Sequence, residues 1–124
     1  MRWWLVFAGG GLGALARYAL ALWVEGKTGP GFPWGTFSVN VLGCFAIGVA
    51  ATLADEHAWL SPSARLLLVT GILGGFTTFS TFGYETWQLA SEGAAAAALG
   101  NVLASVGAGL VAVVLGIVVT RQLV

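Results

Sequence analysis

The stretch from Gly71 to Glu85, GILGGFTTFSTFGYE, contains the residues of this 124-residue chain whose types could do chemistry. It combines four glycines, four Ser or Thr hydroxyls and three phenylalanines within a long apolar run. Glycines loosen a helix, and hydroxyls can bond the backbone groups that a loosened helix frees. The stretch therefore predicts a broken helix that lines an ion or substrate site. The alternative is a continuous helix whose small residues pack closely against a neighbour.

The composition indicates that this stretch lies in a membrane. Hydrophobic residues make up 58% of the chain and charged residues 8%, whereas a soluble domain carries about 25% charged residues. The formal net charge is zero, so no basic surface indicates a nucleic-acid partner. We expect one all-α integral membrane domain over residues 1–124, with the third helix broken near its middle. Four apolar runs are long enough to span a bilayer, at roughly 3–24, 34–54, 62–90 and 94–120.

Two features of the first run bear on packing and function. Gly9 and Gly13 are four residues apart, a spacing that allows close helix approach. Arg17 interrupts the apolar sequence, where a charge usually faces a cavity or a partner, or else reaches back to the interface. The start of the run also resembles a secretory signal with a cleavage site after Ala16. The apolar run continues past that site, however, which favours a retained span.

The connecting segments carry turn and capping signals. The glycines and prolines between Glu25 and Pro33 predict a loop. Ser61 is expected to cap the third segment, with Pro62 at its first helical position. In the last run, Asn101 and Ser105 are four residues apart and therefore share a helix face.

The basic residues predict only a weak orientation preference. Four spans put both termini on one side, together with Arg2, Arg65 and Arg121, while Lys27 lies on the other side. A weak bias permits insertion in both orientations. Because four helices enclose little volume, we also expect a second copy to complete the site, most simply as a two-fold dimer.

In these motifs the chain resembles the Fluc, or CrcB, family of fluoride channels. The resemblance extends along nearly the whole sequence rather than resting on one motif. The matching pieces, in chain order, are Gly9-Gly10-Gly11-Leu12-Gly13-Ala14 with Arg17-Tyr18, Gly35-Thr36 with Val39-Asn40 and Gly43, residues 71–82, and Glu85.

The resemblance implies an assembly and an activity. Members of this family are antiparallel, dual-topology homodimers in the cell membrane, surrounded by lipid, with two pores along the dimer interface. They pass fluoride passively and reject chloride, which relieves fluoride toxicity. A structural sodium ion lies at the dimer centre. Those properties are expectations for this chain.

The resemblance also implies roles for individual residues. The implied fluoride pore comprises Asn40, Phe79, Phe82, Ser80, Thr81 and Ser105. The implied vestibule residues are Arg17 and Glu85, and the implied sodium ligands are the backbone carbonyls of Gly74 and Thr77. The last helix departs from the family pattern, because Asn101 stands where many members carry tyrosine and Gly109 where others carry serine.

The chemistry of fluoride fits these residue types. The ion is small and strongly hydrated, so a pore must replace lost water with hydrogen-bond donors. The Asn40 amide attracts an anion without the full charge that would trap it. Phe79 and Phe82 share a helix face and can present the positive edges of their rings. The alternative for these two phenylalanines is ordinary packing.

Other functions fit the sequence less well. A small four-helix proton-coupled multidrug exporter needs a carboxylate within the membrane, and the candidates Glu25 and Glu85 lie near the ends of their runs. A structural subunit would explain the glycines but not the hydroxyl cluster. An enzyme is not expected, because no nucleophile, base and orienting group converge in the pattern.

Overall fold

The computed structural model describes residues 2–124, and the regular elements in that range are all helices. Four of its helices are long and apolar enough to cross a membrane, as the sequence predicted. The first two are α1 (Arg2–Thr28) and α2 (Trp34–Asp55), and the last is α6 (Ala95–Leu123). The third, Pro62–Ser91, is composite. Its parts are α3 (Pro62–Arg65), a π-helical segment (Leu66–Leu73), α4 (Gly74–Phe76) and α5 (Phe79–Ser91).

The end of α1 differs from the sequence prediction. The helix continues through Glu25, which was expected to start a loop, and ends at Thr28. Gly29 follows with φ of 73°, and its N–H donates to the Glu25 carbonyl at 2.9 Å. A glycine reaches this left-handed conformation without a Cβ penalty, so it terminates the helix here. The connecting loop is therefore shorter than predicted and covers residues 29–33.

The start of the third span confirms the predicted cap. The Ser61 hydroxyl accepts a hydrogen bond from the Ala64 N–H at 3.1 Å, and Pro62 occupies the first turn. The following π-helical segment was not predicted. Such segments are rare, and they often accompany functional sites.

The α1 helix packs backbone to backbone against the third span. Gly9 and Gly13 are both buried. A Cβ on Gly9 would lie 2.9 Å from the Gly71 Cα, and one on Gly13 would lie 2.8 Å from the Phe76 nitrogen. Those separations are too short for a real side chain, so the glycine pair permits the close approach that its spacing predicted. This contact holds the third span against α1 immediately before the span leaves the helical conformation at Thr77.

The helices α2 and α6 form a second closely packed pair. A Cβ on Gly48 would lie 3.2 Å from the Gly116 Cα, so these two helices also touch through glycines. Near the same contact, the hydroxyls of Thr52 and Thr120 donate to carbonyls of their own helices at 2.8 and 2.7 Å. The buried hydroxyls are thereby satisfied locally.

Two ion pairs connect the helices at one end of the bundle. Arg65 pairs with Asp55, and Arg121 pairs with Glu56. The hydrogen bond from Arg121 holds the pKa of the Glu56 carboxyl below its usual value. Arg65 and Arg121 thus lie at the same end, as expected from the sequence, and each has an acidic partner there.

Candidate functional site

The third span changes backbone conformation at two threonines. The α4 helix ends at Phe76, and Thr77 and Thr78 are extended, with ψ values of 154° and 117°. The α5 helix starts at Phe79. Gly74, which was expected to loosen the helix, is itself helical, with φ of −62° and ψ of −39°. The extended residues therefore come after the glycines.

Asn40 pairs with the backbone of Thr78 across 38 residues of sequence. Its Nδ2 donates to the Thr78 carbonyl at 2.9 Å, and its Oδ1 accepts from the Thr78 N–H at 2.8 Å. The side chain thus replaces both hydrogen bonds that Thr78 would make within a regular element. Since an amide nitrogen has two hydrogens, the second one remains for another acceptor.

The same pairing frees carbonyls that a continuous helix would use. The Thr78 N–H, which would otherwise reach Gly74, donates to Asn40 instead. The Thr81 N–H, which would otherwise reach Thr77, donates to the Thr78 hydroxyl at 3.2 Å and so caps α5. The carbonyls of Gly74 and Thr77 therefore lose their α-helical donors.

These groups meet in a groove of about 450 Å³. Asn40, Phe79, Phe82 and Ser105, all candidates from the sequence, line it together with the two residues whose carbonyls are freed. The lining residues are Asn40, Gly43, Cys44, Ile47, Val69, Leu73, Gly74, Thr77, Thr78, Phe79, Phe82, Ser105 and Val106. None of these lining residues is charged. The groove thus combines apolar walls with a few neutral polar groups.

The rings of Phe79 and Phe82 are neighbours in the lining of this groove. The ring centroids of Phe79 and Phe82 are 5.6 Å apart, and the ring planes are inclined by 47°. Phe79 is 83% exposed in the single chain. An apolar ring this exposed leaves one side of the groove without a protein wall.

Ser80 and Thr81 are not among the groove residues. Both lie in the first turn of α5, and their hydroxyls gather around Thr78. The Thr78 hydroxyl donates to Thr81 Oγ1 at 3.1 Å and lies 3.5 Å from Ser80 Oγ. The hydroxyl cluster thus stabilises the start of α5 beside the groove.

The two expected vestibule residues lie in different places. The Arg17 Nε donates to the Gly75 carbonyl at 3.1 Å, next to the extended threonines. Glu85 lines a second pocket of about 390 Å³ near the loop at residues 29–33. Glu25 shares that pocket. The sequence did not indicate this neighbour, because Glu25 was assigned to a loop.

The last helix carries Ser105, which the family resemblance placed in the pore, and Asn101, for which it implied no settled role. Asn101 is 1% exposed, and its Nδ2 donates to the Thr86 hydroxyl at 2.9 Å. Ser105 donates to Asn101 Oδ1 at 3.2 Å, as their shared face allowed. Thr86 was not predicted, and a single hydroxyl in an apolar helix gives little signal. Gly109 packs on α2, where a Cβ would lie 3.3 Å from the Cys44 sulfur.

These elements define a small membrane protein with an uncharged groove built around an irregular third span. The chain belongs to the CrcB family, because the family model described as "CrcB-like protein, Camphor Resistance (CrcB)" matches residues 4–117. Together with the four spanning helices, this membership identifies a multi-pass membrane protein.

Named relatives are similar over most or all of the chain. The fluoride-specific ion channel FluC of Acidobacterium capsulatum is 47% identical over 124 residues, which cover 100% of this chain and 99% of that protein. The protein of the same name from Chloroflexus aurantiacus is 49% identical over 109 residues, 88% of this chain and 86% of its own length. The Rhizobium leguminosarum protein, also of that name, is 48% identical over 119 residues, with 96% and 95% coverage. Their names describe channels, which are not enzymes.

Proposed function

We propose that this protein is a fluoride-selective channel that passes fluoride passively out of the cell. The observation that carries the proposal is the groove in which Asn40, Phe79 and Phe82 meet. The names of the relatives, each a fluoride-specific ion channel, agree with it.

The groove has the donors that a weakly held anion needs. One Asn40 N–H is used by Thr78, and the second is available to an anion in the groove. The edges of the Phe79 and Phe82 rings carry partial positive charge. Because these groups are neutral, they replace hydration without holding the ion as tightly as a lysine would.

The open side of the groove supports a dimer. Phe79 is 83% exposed, and a second copy would supply the missing wall. In the proposed assembly two chains of opposite orientation form two pores along their interface. Basic residues are few, with Arg65 and Arg121 at one end of the bundle and Lys27 in the last turn of α1, so the orientation preference is weak.

Labelling tests the two orientations. Lys27, in the last turn of α1, is replaced by cysteine in a Cys44→Ala background. We expect a membrane-impermeant thiol reagent to label part of the protein from each side of sealed membranes. The Cys44→Ala protein without the new cysteine is the control for background labelling. Labelling from one side only would exclude dual topology.

The freed carbonyls suit a structural sodium ion. Gly74 and Thr77 would supply oxygen ligands from each chain, and a two-fold axis in the membrane plane would bring two such sets together. Unwound backbone carbonyls are known ligands for sodium in membrane proteins. A bound ion would supply a fixed positive charge between the chains. We expect the purified dimer to melt at a higher temperature in sodium than in N-methylglucamine chloride, and equal melting temperatures would contradict the site.

The proposed direction follows from acid chemistry and membrane potential. Hydrogen fluoride enters as a neutral acid and dissociates in the less acidic cytoplasm. A membrane potential is worth about 2.3 kcal/mol per elementary charge per 100 mV, so a negative interior drives the anion outward. A passive path is then sufficient to lower internal fluoride.

Anion efflux from liposomes tests the function. Vesicles that contain the purified protein are loaded with potassium fluoride or potassium chloride, and a potassium ionophore starts the efflux. We expect rapid fluoride loss and chloride loss close to that of protein-free vesicles. Equal efflux of the two anions, or no fluoride efflux, would refute the proposal.

A further inference from the structure

Three side chains and one carbonyl form a hydrogen-bonded chain behind the groove wall. Ser105 donates to Asn101 Oδ1 at 3.2 Å, and Asn101 Nδ2 donates to Thr86 Oγ1 at 2.9 Å. The Thr86 hydroxyl donates to the Phe82 carbonyl at 2.7 Å. This hydrogen-bond network thus connects α6 to the part of α5 that carries Phe82. The residues at its two ends, Ser105 and Phe82, both line the groove.

The donor in each of these hydrogen bonds can be assigned from the Phe82 carbonyl, which ends the series. A carbonyl can only accept, so the single hydroxyl hydrogen of Thr86 is used by Phe82. Thr86 can then only accept from Asn101, which must present its amide nitrogen. The Asn101 oxygen therefore faces Ser105, whose single hydrogen is used in turn. Ser105 thus contributes its oxygen to the groove, while its hydrogen points to Asn101.

The burial of Asn101 keeps this arrangement closed. Its side chain is 1% exposed, one of the two largest fully buried side chains in the described chain. Water has no access to replace a lost partner, and an unpaired buried amide is costly. Turning the Ser105 hydrogen toward an anion would leave the Asn101 oxygen without a donor.

We propose that Asn101 is a positioning residue for the anion path. It turns the Ser105 hydrogen away from the groove and joins α6 to the turn of α5 that carries Phe82. The donors that face the anion are then the Asn40 amide and the phenyl ring edges. The proposal rests on the assignment of the groove as a fluoride path.

Fluoride efflux from liposomes tests this role with variants of matched size. Asn101→Leu and Thr86→Val each break the hydrogen-bond network, whereas Thr86→Ser keeps the hydroxyl. We expect efflux per folded dimer to fall about tenfold or more for Asn101→Leu and Thr86→Val, and to recover in Thr86→Ser. The double variant Asn101→Leu/Thr86→Val should be no slower than the slower single variant, because both remove the same network. Ser105→Ala should cost less than Asn101→Leu.

The reverse order of effects would overturn the inference. If Ser105→Ala stops efflux while Asn101→Leu conducts, Ser105 is itself the anion donor. If Asn101→Leu and Thr86→Val both conduct like the unaltered protein, the network does not position the path. If Asn101→Leu fails to fold, Thr86→Val decides between these outcomes.

A measurement without transport separates this inference from the function. In a nitrogen-15 NMR spectrum of the full-length protein in detergent, the Asn101 side-chain amide should exchange slowly with water. Thr86→Val should shift that resonance and speed its exchange. A fast-exchanging Asn101 amide in the unaltered protein would refute the network even if fluoride passes. If the amide is protected but no fluoride passes, the channel assignment fails instead.

Discussion

Asn40→Asp separates the two roles that the structure gives to this side chain. Asn40 pairs with both backbone groups of Thr78, at 2.9 and 2.8 Å, and it also lines the groove. An aspartate keeps the acceptor for the Thr78 N–H but loses the donor to the Thr78 carbonyl. It also adds a negative charge beside the proposed anion path.

Each effect has its own magnitude. Losing a hydrogen bond to a partly buried carbonyl costs about 1–3 kcal/mol of folding free energy. A carboxylate about 4 Å from an anion costs about 4 kcal/mol at an effective dielectric constant of 20. That repulsion corresponds to a decrease of about 1,000-fold in flux. Asn40→Leu has similar size and no charge, but it removes both pairings with Thr78.

The two variants should therefore rank in opposite orders in two assays. Fluoride efflux from liposomes should be lowest for Asn40→Asp, whereas thermal unfolding of the detergent-solubilised dimer should occur at the lowest temperature for Asn40→Leu. If Asn40→Asp conducts like the unaltered protein, Asn40 does not face the anion. If Asn40→Leu is as inactive as Asn40→Asp and both dimers are intact, loss of the Asn40 amide is enough to stop conduction, and the argument from charge repulsion is wrong.

Two other predictions concern the ring edge and the loop ion pair. Phe79→Ile keeps apolar bulk but removes the positive ring edge, so fluoride efflux should fall sharply. The Phe76 ring packs beside α2, where a Cβ on Gly43 would lie 3.5 Å from it, and Phe76 is not among the residues that line the groove. Phe76→Ile should therefore leave efflux near its original value, and equal losses would contradict the pore assignment. The hydrogen bond from Arg121 lowers the pKa of Glu56, so the contribution of this ion pair to folding stability is complete above the ordinary glutamate pKa. That contribution is lost as pH falls through the lowered pKa. The unfolding temperature should therefore fall across the acid range, and it should fall less in Arg121→Gln. An unchanged pH profile in Arg121→Gln would exclude this ion pair as the source of the pH dependence.

The sequence by itself determined the number of spans and several local features. Long apolar runs encode spanning helices because backbone groups in lipid must bond within their own segment. Ser61 and Pro62 marked the start of the third span, and the Gly9 and Gly13 spacing predicted the contact with that span. Such signals are local, since they depend on residues within a turn or two of one another.

The boundary of α1 shows where local signals fail. Glycines and prolines predicted a loop from Glu25, yet the helix continues to Thr28 and ends at Gly29. Polar residues at the end of a span are compatible with both states. Only the positive φ of Gly29 fixed the end of the helix.

Only the tertiary structure decided which partners the polar groups of the site bond. The glycines of the third span pointed to irregular backbone, but the extended residues are Thr77 and Thr78, whose position depends on Asn40. Asn40 is 38 residues away from Thr78 in sequence, so no local pattern could assign the pairing. The same holds for Thr86 and Asn101, which come from different helices. A buried polar group must find a partner, but the identity of that partner depends on how the helices pack.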